Sequence, residues 1–324
     1  MIDARIALVA SLAAVGLGCA SPLARARLNA AEAPSAREEE ARVRLAKVKC
    51  SRQLAWLFPG LGQICQNKPD EGAALAAVGF ADTSVLVGGI ATAQKSATLV
   101  SAVALQDAWV YGIADTVLEE ERAQRLRFVP QDTLGELAIA PVNRRILSKP
   151  EVFLGLLAGV AAGFGASALA REVGRPHFGD TPRIFGADAR PGLAYPAAGA
   201  TFATTFEHVA IAEEAAFRGL LQSGLARSCG ESCGWAVGSY IFGGFHATNA
   251  LFIDDPDQRK RYLAIGVPYL VLVGQYIGGI YWKSGYSLAT AVAMHFWYDF
   301  LLSVVDFMYE PRDSMISAKI ALPF

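Results

Sequence analysis

Seven apolar blocks of about 18–23 residues dominate the chain, at 72–92, 96–118, 152–170, 195–212, 235–253, 262–282 and 286–308. A helix needs about 20 such residues to cross a bilayer. Lipid offers no partner for backbone N–H and C=O groups, so blocks of this length must close their hydrogen bonds internally as helices. The expected fold is therefore all-α: a multi-pass transmembrane helical bundle of about seven spans after an N-terminal signal or anchor. Charged residues are 18% of the 324 positions, against roughly 25% in soluble domains. That excludes disorder, coiled coil and collagen, and argues against a soluble globule. The 29 Lys and Arg are offset by 30 Asp and Glu, which leaves no footprint for nucleic acid. The lipid bilayer is the expected environment.

The blocks and the polar stretches between them divide the chain. Residues 1–20 read as a signal peptide or lipobox-like segment. The apolar run at 6–18 has about 13 residues, too short for a span, and suits a signal-peptide core. Gly16-Leu17-Gly18-Cys19 resembles a bacterial lipobox, which implies lipidation at Cys19; an uncleaved short anchor is the alternative. Residues 21–55 form a charged helix or tether, its charge run a solvated face. In 56–118, Trp56-Leu-Phe-Pro-Gly-Leu-Gly-Gln63 is followed by Asn67 and Gly72. It resembles the Pro-Gly-x-Gly-Gln opening of small two-helix membrane hairpins fused to many bacterial proteins. Trp56 and Phe58 would anchor it at headgroup depth, and Asp82, Gln106, Asp107 and Asp115 make its two spans less apolar than the rest. A polar amphipathic connection covers 119–151, the main domain 152–308 and a tail 309–324. Gly274-x-x-x-Gly278 permits close contact between helices. The Lys and Arg between Ala20 and Glu71 place that segment in the cytoplasm by the positive-inside rule. A lipidated Cys19 would place it outside, so orientation stays open.

Ionisable residues inside spans are costly, and each is a candidate for function. Three clusters stand out: Glu213-Glu214-Ala-Ala-Phe217-Arg218-Gly219, Phe242-Gly-Gly-Phe-His246, and His295-Phe-Trp-Tyr-Asp299. The chain has 4 His, and two of them fall in these clusters. Glu214 and Arg218 are i and i+4 and can pair on one helix face. Glu213, about 100° away by the helical repeat, is left to face a cavity. His295 and Asp299 are also i and i+4, and Phe242, one turn from His246, can wall the same pocket. A carboxylate and an imidazole converging on a water form a general-base pair suited to hydrolysis. A second imidazole can donate to a developing oxyanion.

At these residues the chain resembles the CAAX-protease and bacteriocin-processing family, also called the ABI or type II CAAX prenyl endopeptidase family. The pattern is Glu-Glu-x-x-x-Arg, Phe-x-x-x-His and His-x-x-x-Asp/Asn, in that order on successive membrane helices, over roughly 152–308. The resemblance implies an intramembrane endopeptidase in which Glu213 and His246 activate water. His295 and Asp299 stabilise the oxyanion, and Glu214 and Arg218 hold the local structure. An ionised Asp299 would repel an oxyanion, so it is either protonated or orients His295. The implied partner is a membrane-anchored protein or peptide substrate, processed near its C-terminus. The lipobox-like segment points to the myxosortase-like bacterial branch and to the bacterial cytoplasmic membrane, where prenylated substrates are not expected.

Two His and two Glu also allow a zinc site on Glu213, His246 and His295. No His-Glu-x-x-His pair is present and Glu214 is better used by Arg218, so no cofactor is favoured. His177 reads as a surface residue, and Glu207-His208 as a polar helix face. Among the 5 Cys, Cys229 and Cys233 would form a disulfide only in an oxidising compartment; Cys50 and Cys65 carry no signal. A non-catalytic immunity or binding protein and a proton-relay transporter are the two alternatives to a protease.

Overall fold

The computed structural model describes residues 51–170 and 180–312. The signal or lipobox segment with Cys19, the tether up to residue 50, His177 and the tail from 313 lie outside the described residues. The described residues form a helical bundle. Its one sheet is an antiparallel hairpin of two-residue strands, β1 (Arg183–Ile184) and β2 (Ala187–Asp188).

The first helices form a hairpin against the rest. A short helix α1 (Leu61–Cys65) leads into α2 (Pro69–Ala91) and α3 (Lys95–Ala123). Gly60 has φ 87°, and a side chain there would run into the Gly72 carbonyl, so the Pro59-Gly60 bend can press directly on the first turn of α2. Gln63 is buried and donates through Nε2 to Gly112 O at 3.0 Å and to Asp115 Oδ2 at 3.1 Å. The glutamine that ends the Pro-Gly-x-Gly-Gln motif thus ties α1 to α3. At the same end, ion pairs of Arg122 with Asp115 and Glu119, of Lys68 with Glu119, and of Arg227 with Glu121 cluster around the C-terminal turns of α3.

The polar connection after α3 holds helices α4 (Leu134–Ile139) and α5 (Arg144–Leu147). Thr133 and Glu136 form a capping box at the start of α4, which satisfies two backbone donors reciprocally. This stretch also braces the last helix, α12 (Leu288–Tyr309). Asp132 accepts from the Leu288 and Ala289 amides at 2.7 and 3.3 Å and from Ser287 Oγ at 3.0 Å. Further along α12, Trp297 Nε1 donates to Pro141 O at 2.7 Å.

Helix α6 (Pro150–Ala170) runs antiparallel to α11 (Val267–Lys283). Tyr276 and Tyr269 of α11 donate to the carbonyls of Glu151 and Gly159, each at 2.6 Å. Helix α7 (Pro191–Glu213) passes without a break into a π-helical stretch, Glu214–Gln222, and then α8 (Ser223–Cys229). Gly230, with φ 96°, ends this rod, and Cys229 and Cys233 form a disulfide across the turn. Helix α9 (Glu231–Phe245) returns, followed by a 3-10 stretch His246–Phe252, the short α10 (Pro256–Arg261), a second π stretch and α11. The Gly274-x-x-x-Gly278 face meets α9: a Cβ at Gly274 would lie 2.7 Å from the Phe242 ring, and one at Gly278 would lie 2.8 Å from Ser239 Oγ.

Five helices among the described residues are long and apolar enough to cross a membrane: Pro69–Ala91, Lys95–Ala123, Pro150–Leu169, Pro256–Lys283 and Leu288–Tyr309. Two of the seven expected blocks, 195–212 and 235–253, are not among these five. The block at 235–253 is a helix of only 15 residues, because the chain leaves α geometry at His246. The block at 195–212 is helical but carries Glu207, His208 and several Thr. It buries Phe202, Phe206 and Ala210 while packed between α3 and α12, so less of its surface has to match lipid. Helix α12 is the central one, with 67% of its apolar window buried, against 17% for α2.

Candidate active site

Three elements meet around α12. The α7 rod brings Glu213 and Glu214 to the point where α geometry widens to π, a distortion that recurs at functional sites. The end of α9 brings Phe242 and His246, and α12 brings His295 and Asp299, about two and three turns from its start.

The pair read from the i, i+4 spacing forms: Arg218 Nε donates to Glu214 Oε2 at 2.9 Å, with both side chains fully buried. The other oxygen of Glu214 has a partner that the spacing did not reveal. Glu214 Oε1 lies 2.7 Å from His295 Nδ1, so one carboxylate links the arginine of the first motif to the histidine of the third. Phe242 is buried between them: the Arg218 guanidinium sits 4.5 Å from its ring centroid. The same ring meets those of His246 and His295 edge-on, at 4.8 and 5.9 Å. Phe242 therefore fixes the spacing of the two imidazoles as well as walling the pocket.

The two histidines differ in what they can do. His246 Nδ1 lies 2.9 Å from Phe242 O. A carbonyl only accepts, so that nitrogen carries the proton and Nε2 presents a lone pair. Nε2 lies 4.0 Å from Glu213 Oε2. His295 is flanked by carboxylates at both nitrogens, with Nε2 3.2 Å from Asp299 Oδ2 and 3.9 Å from Glu213 Oε2. Carboxylates only accept, so a proton on each nitrogen, the imidazolium form, is what this flanking accommodates. Of the two roles open to Asp299, this contact fits orientation of His295. Donation from His295 to an oxyanion then requires its Nε2–H to be shared with Asp299. Glu213 Oε2 is buried with no hydrogen-bond partner among the described residues.

The zinc set of Glu213, His246 and His295 does not fit this arrangement. The only nitrogen of His295 facing Glu213 is already turned to Asp299, and its Nδ1 is turned to Glu214. Among the described residues, no group of three or more His, Cys, Asp or Glu is arranged to hold a metal ion. Glu207 and His208 lie half-buried on α7, with His208 Nδ1 2.7 Å from Thr204 O. Sequence reasoning missed the link from Glu214 to His295 and the brace from Asp132 to α12, both long-range contacts without a local pattern.

No curated protein and no solved structure matches the chain. Residues 197–301, roughly a third of the chain, match the family model described as type II CAAX prenyl endopeptidase Rce1-like. The match contains Glu213, Glu214, Arg218, Phe242, His246, His295 and Asp299 and stops short of the α2–α3 hairpin. Through residues 197–301, the chain is similar to the Rce1-like, type II CAAX prenyl endopeptidase family.

Proposed function

We propose that this protein is an intramembrane endopeptidase that hydrolyses a peptide bond in a membrane-anchored protein, with Glu213 and His246 activating the attacking water. The observation that carries this reading is the approach of Glu213 Oε2 to within 4.0 Å of the unprotonated nitrogen of His246. A water held by the two gives its proton to one of them while its oxygen adds to the scissile carbonyl. The tetrahedral intermediate collapses with loss of the amine, which takes that proton back. The charge that develops on the carbonyl oxygen is stabilised by the His295 imidazolium, which Glu214 and Asp299 hold in place from either side. Within this class, a bacterial processing or sorting peptidase of the cytoplasmic membrane, resembling the myxosortase branch and acting near substrate C-termini, is the reading we favour.

The test is hydrolysis of membrane-anchored peptides by purified protein in detergent. Glu213→Ala, His246→Ala and His295→Ala should each abolish turnover while the protein still inserts and purifies normally. Chelators should leave the wild type active. Wild-type turnover by the three variants would remove the assignment, and activity lost to chelation and restored by zinc would remove the metal-free route.

A further inference from the structure

Asp107 lies on α3, outside the stretch that matches the family. It is 6% exposed, and its Oδ2 is buried with no hydrogen-bond partner among the described residues. Around it on the same helix, Ala104, Ala108 and Tyr111 are buried hydrophobic residues. The next acid along the helix behaves differently: Asp115 accepts from Gln63 and pairs with Arg122. Asp115 holds the hairpin together, whereas Asp107 makes no hydrogen bond or ion pair among the described residues.

A carboxylate inside a span without such a partner is costly and marks function. Glu213, His295 and Asp82 are the ionisable groups near enough to act on Asp107. Two of the three belong to the site described above, and α3 packs directly against α7 and the π stretch that carry Glu213 and Glu214. Glu213 Oε2 is a second buried oxygen with no hydrogen-bond partner among the described residues. Two such acceptors in one neighbourhood are satisfied together by a water that donates one hydrogen to each.

We propose that Asp107 completes the catalytic cavity from the hairpin as a positioning residue, its Oδ2 accepting one hydrogen of the water whose other hydrogen is shared between Glu213 Oε2 and His246 Nε2, the pair that activates it. This rests on the proteolytic reading above. It makes the α2–α3 hairpin part of the active site and not an appended anchor. It also predicts a signature that a packing residue would not give, because Asp107 costs stability and returns it as rate.

The experiment compares the full-length wild type with Asp107→Leu, Asp107→Asn and Glu213→Ala, reading kcat, KM and Tm in detergent. Asp107→Leu should lose about 100-fold in kcat, the scale of a misplaced reacting group, with KM within about twofold of wild type. Its Tm should stay the same or rise, since an apolar side chain replaces an unpartnered acid among Ala104, Ala108 and Tyr111. Asp107→Asn keeps a carbonyl acceptor and should recover part of the lost kcat. Asp107→Leu with wild-type kcat beside an inactive Glu213→Ala would overturn the proposal, and so would a lowered Tm with kcat per folded molecule unchanged. A wild type no faster than Glu213→Ala would overturn the proteolytic reading and this one with it.

Discussion

Arg218→Ala is expected to destabilise the bundle by about 3–5 kcal/mol, the cost of removing one partner from a buried ion pair. Arg218 is fully buried and its Nε lies 2.9 Å from Glu214 Oε2. At that separation, with an effective dielectric of about 20, the Coulomb attraction is about 6 kcal/mol. The guanidinium also stacks over Phe242, a contact worth about 2 kcal/mol when desolvated. The variant does not lose all of this, because Glu214 Oε1 keeps its 2.7 Å contact with His295 and one charge still answers the other. Folded proteins have about 5–15 kcal/mol of stability in total, so the remainder is a large fraction. The assay is thermal unfolding in detergent micelles, followed by tryptophan fluorescence, together with the fraction recovered as a monodisperse peak. The double variant Glu214→Leu/Arg218→Met removes both charges and should recover most of the stability. It should still lack proteolysis, because His295 has lost the acceptor at Nδ1. An Arg218→Ala protein within about 1 kcal/mol of wild type, the range of an ordinary substitution, would refute the argument that Glu214 is a buried charge dependent on Arg218.

Asp299→Asn should retain most activity, since its side-chain carbonyl can still accept from His295 Nε2; Asp299→Ala, lacking an acceptor, should lose about 100-fold in kcat, and equal losses would show that the charge itself matters. Asp132→Ala should cost about 1–2 kcal/mol as a lost helix cap and lower kcat more than it raises KM, because α12 then carries His295 less rigidly; an unchanged Tm would show that the brace is redundant. The Glu136 carboxyl is held below its ordinary range by hydrogen bonds from the Thr133 amide and hydroxyl. The stability it adds is therefore fully present above the ordinary glutamate range and fades as pH falls through the lowered value. Thr133→Ala should cost about 1 kcal/mol near neutrality and less in acid, as melts at the two pH values would read; an equal cost at both would refute the linkage.

What the residues settle by themselves is whatever one helix can express along its own axis. Apolar blocks as long as a bilayer is thick can only be helices, and the bundle follows from that alone. Spacing of i and i+4 puts Glu214 beside Arg218 and His295 beside Asp299, and both contacts form. Gly274 and Gly278 lie one turn apart on a helix face, and α9 uses that face. The order of the three motifs likewise points, without any coordinates, to the family whose model matches residues 197–301.

Tertiary packing decides what depends on which helices meet. Residues 235–253 look long enough to span, yet the helix stops at Phe245. His246 thus comes to lie at the helix end, with its Nε2 turned to Glu213. The second partner of Glu214 is 81 residues away, and the cap of α12 comes from Asp132 in a loop that reads only as polar. Asp107 carries no local pattern at all; it is one of several acids that make a span less apolar. Its meaning comes from α3 lying against α7, which brings a buried carboxylate with no hydrogen-bond partner among the described residues against the helix that carries Glu213. Periodicity fixes the face a side chain shares with its neighbours on the same helix. The partner waiting across the interface is set by close packing between helices, which joins residues too far apart in the chain for any pattern to register.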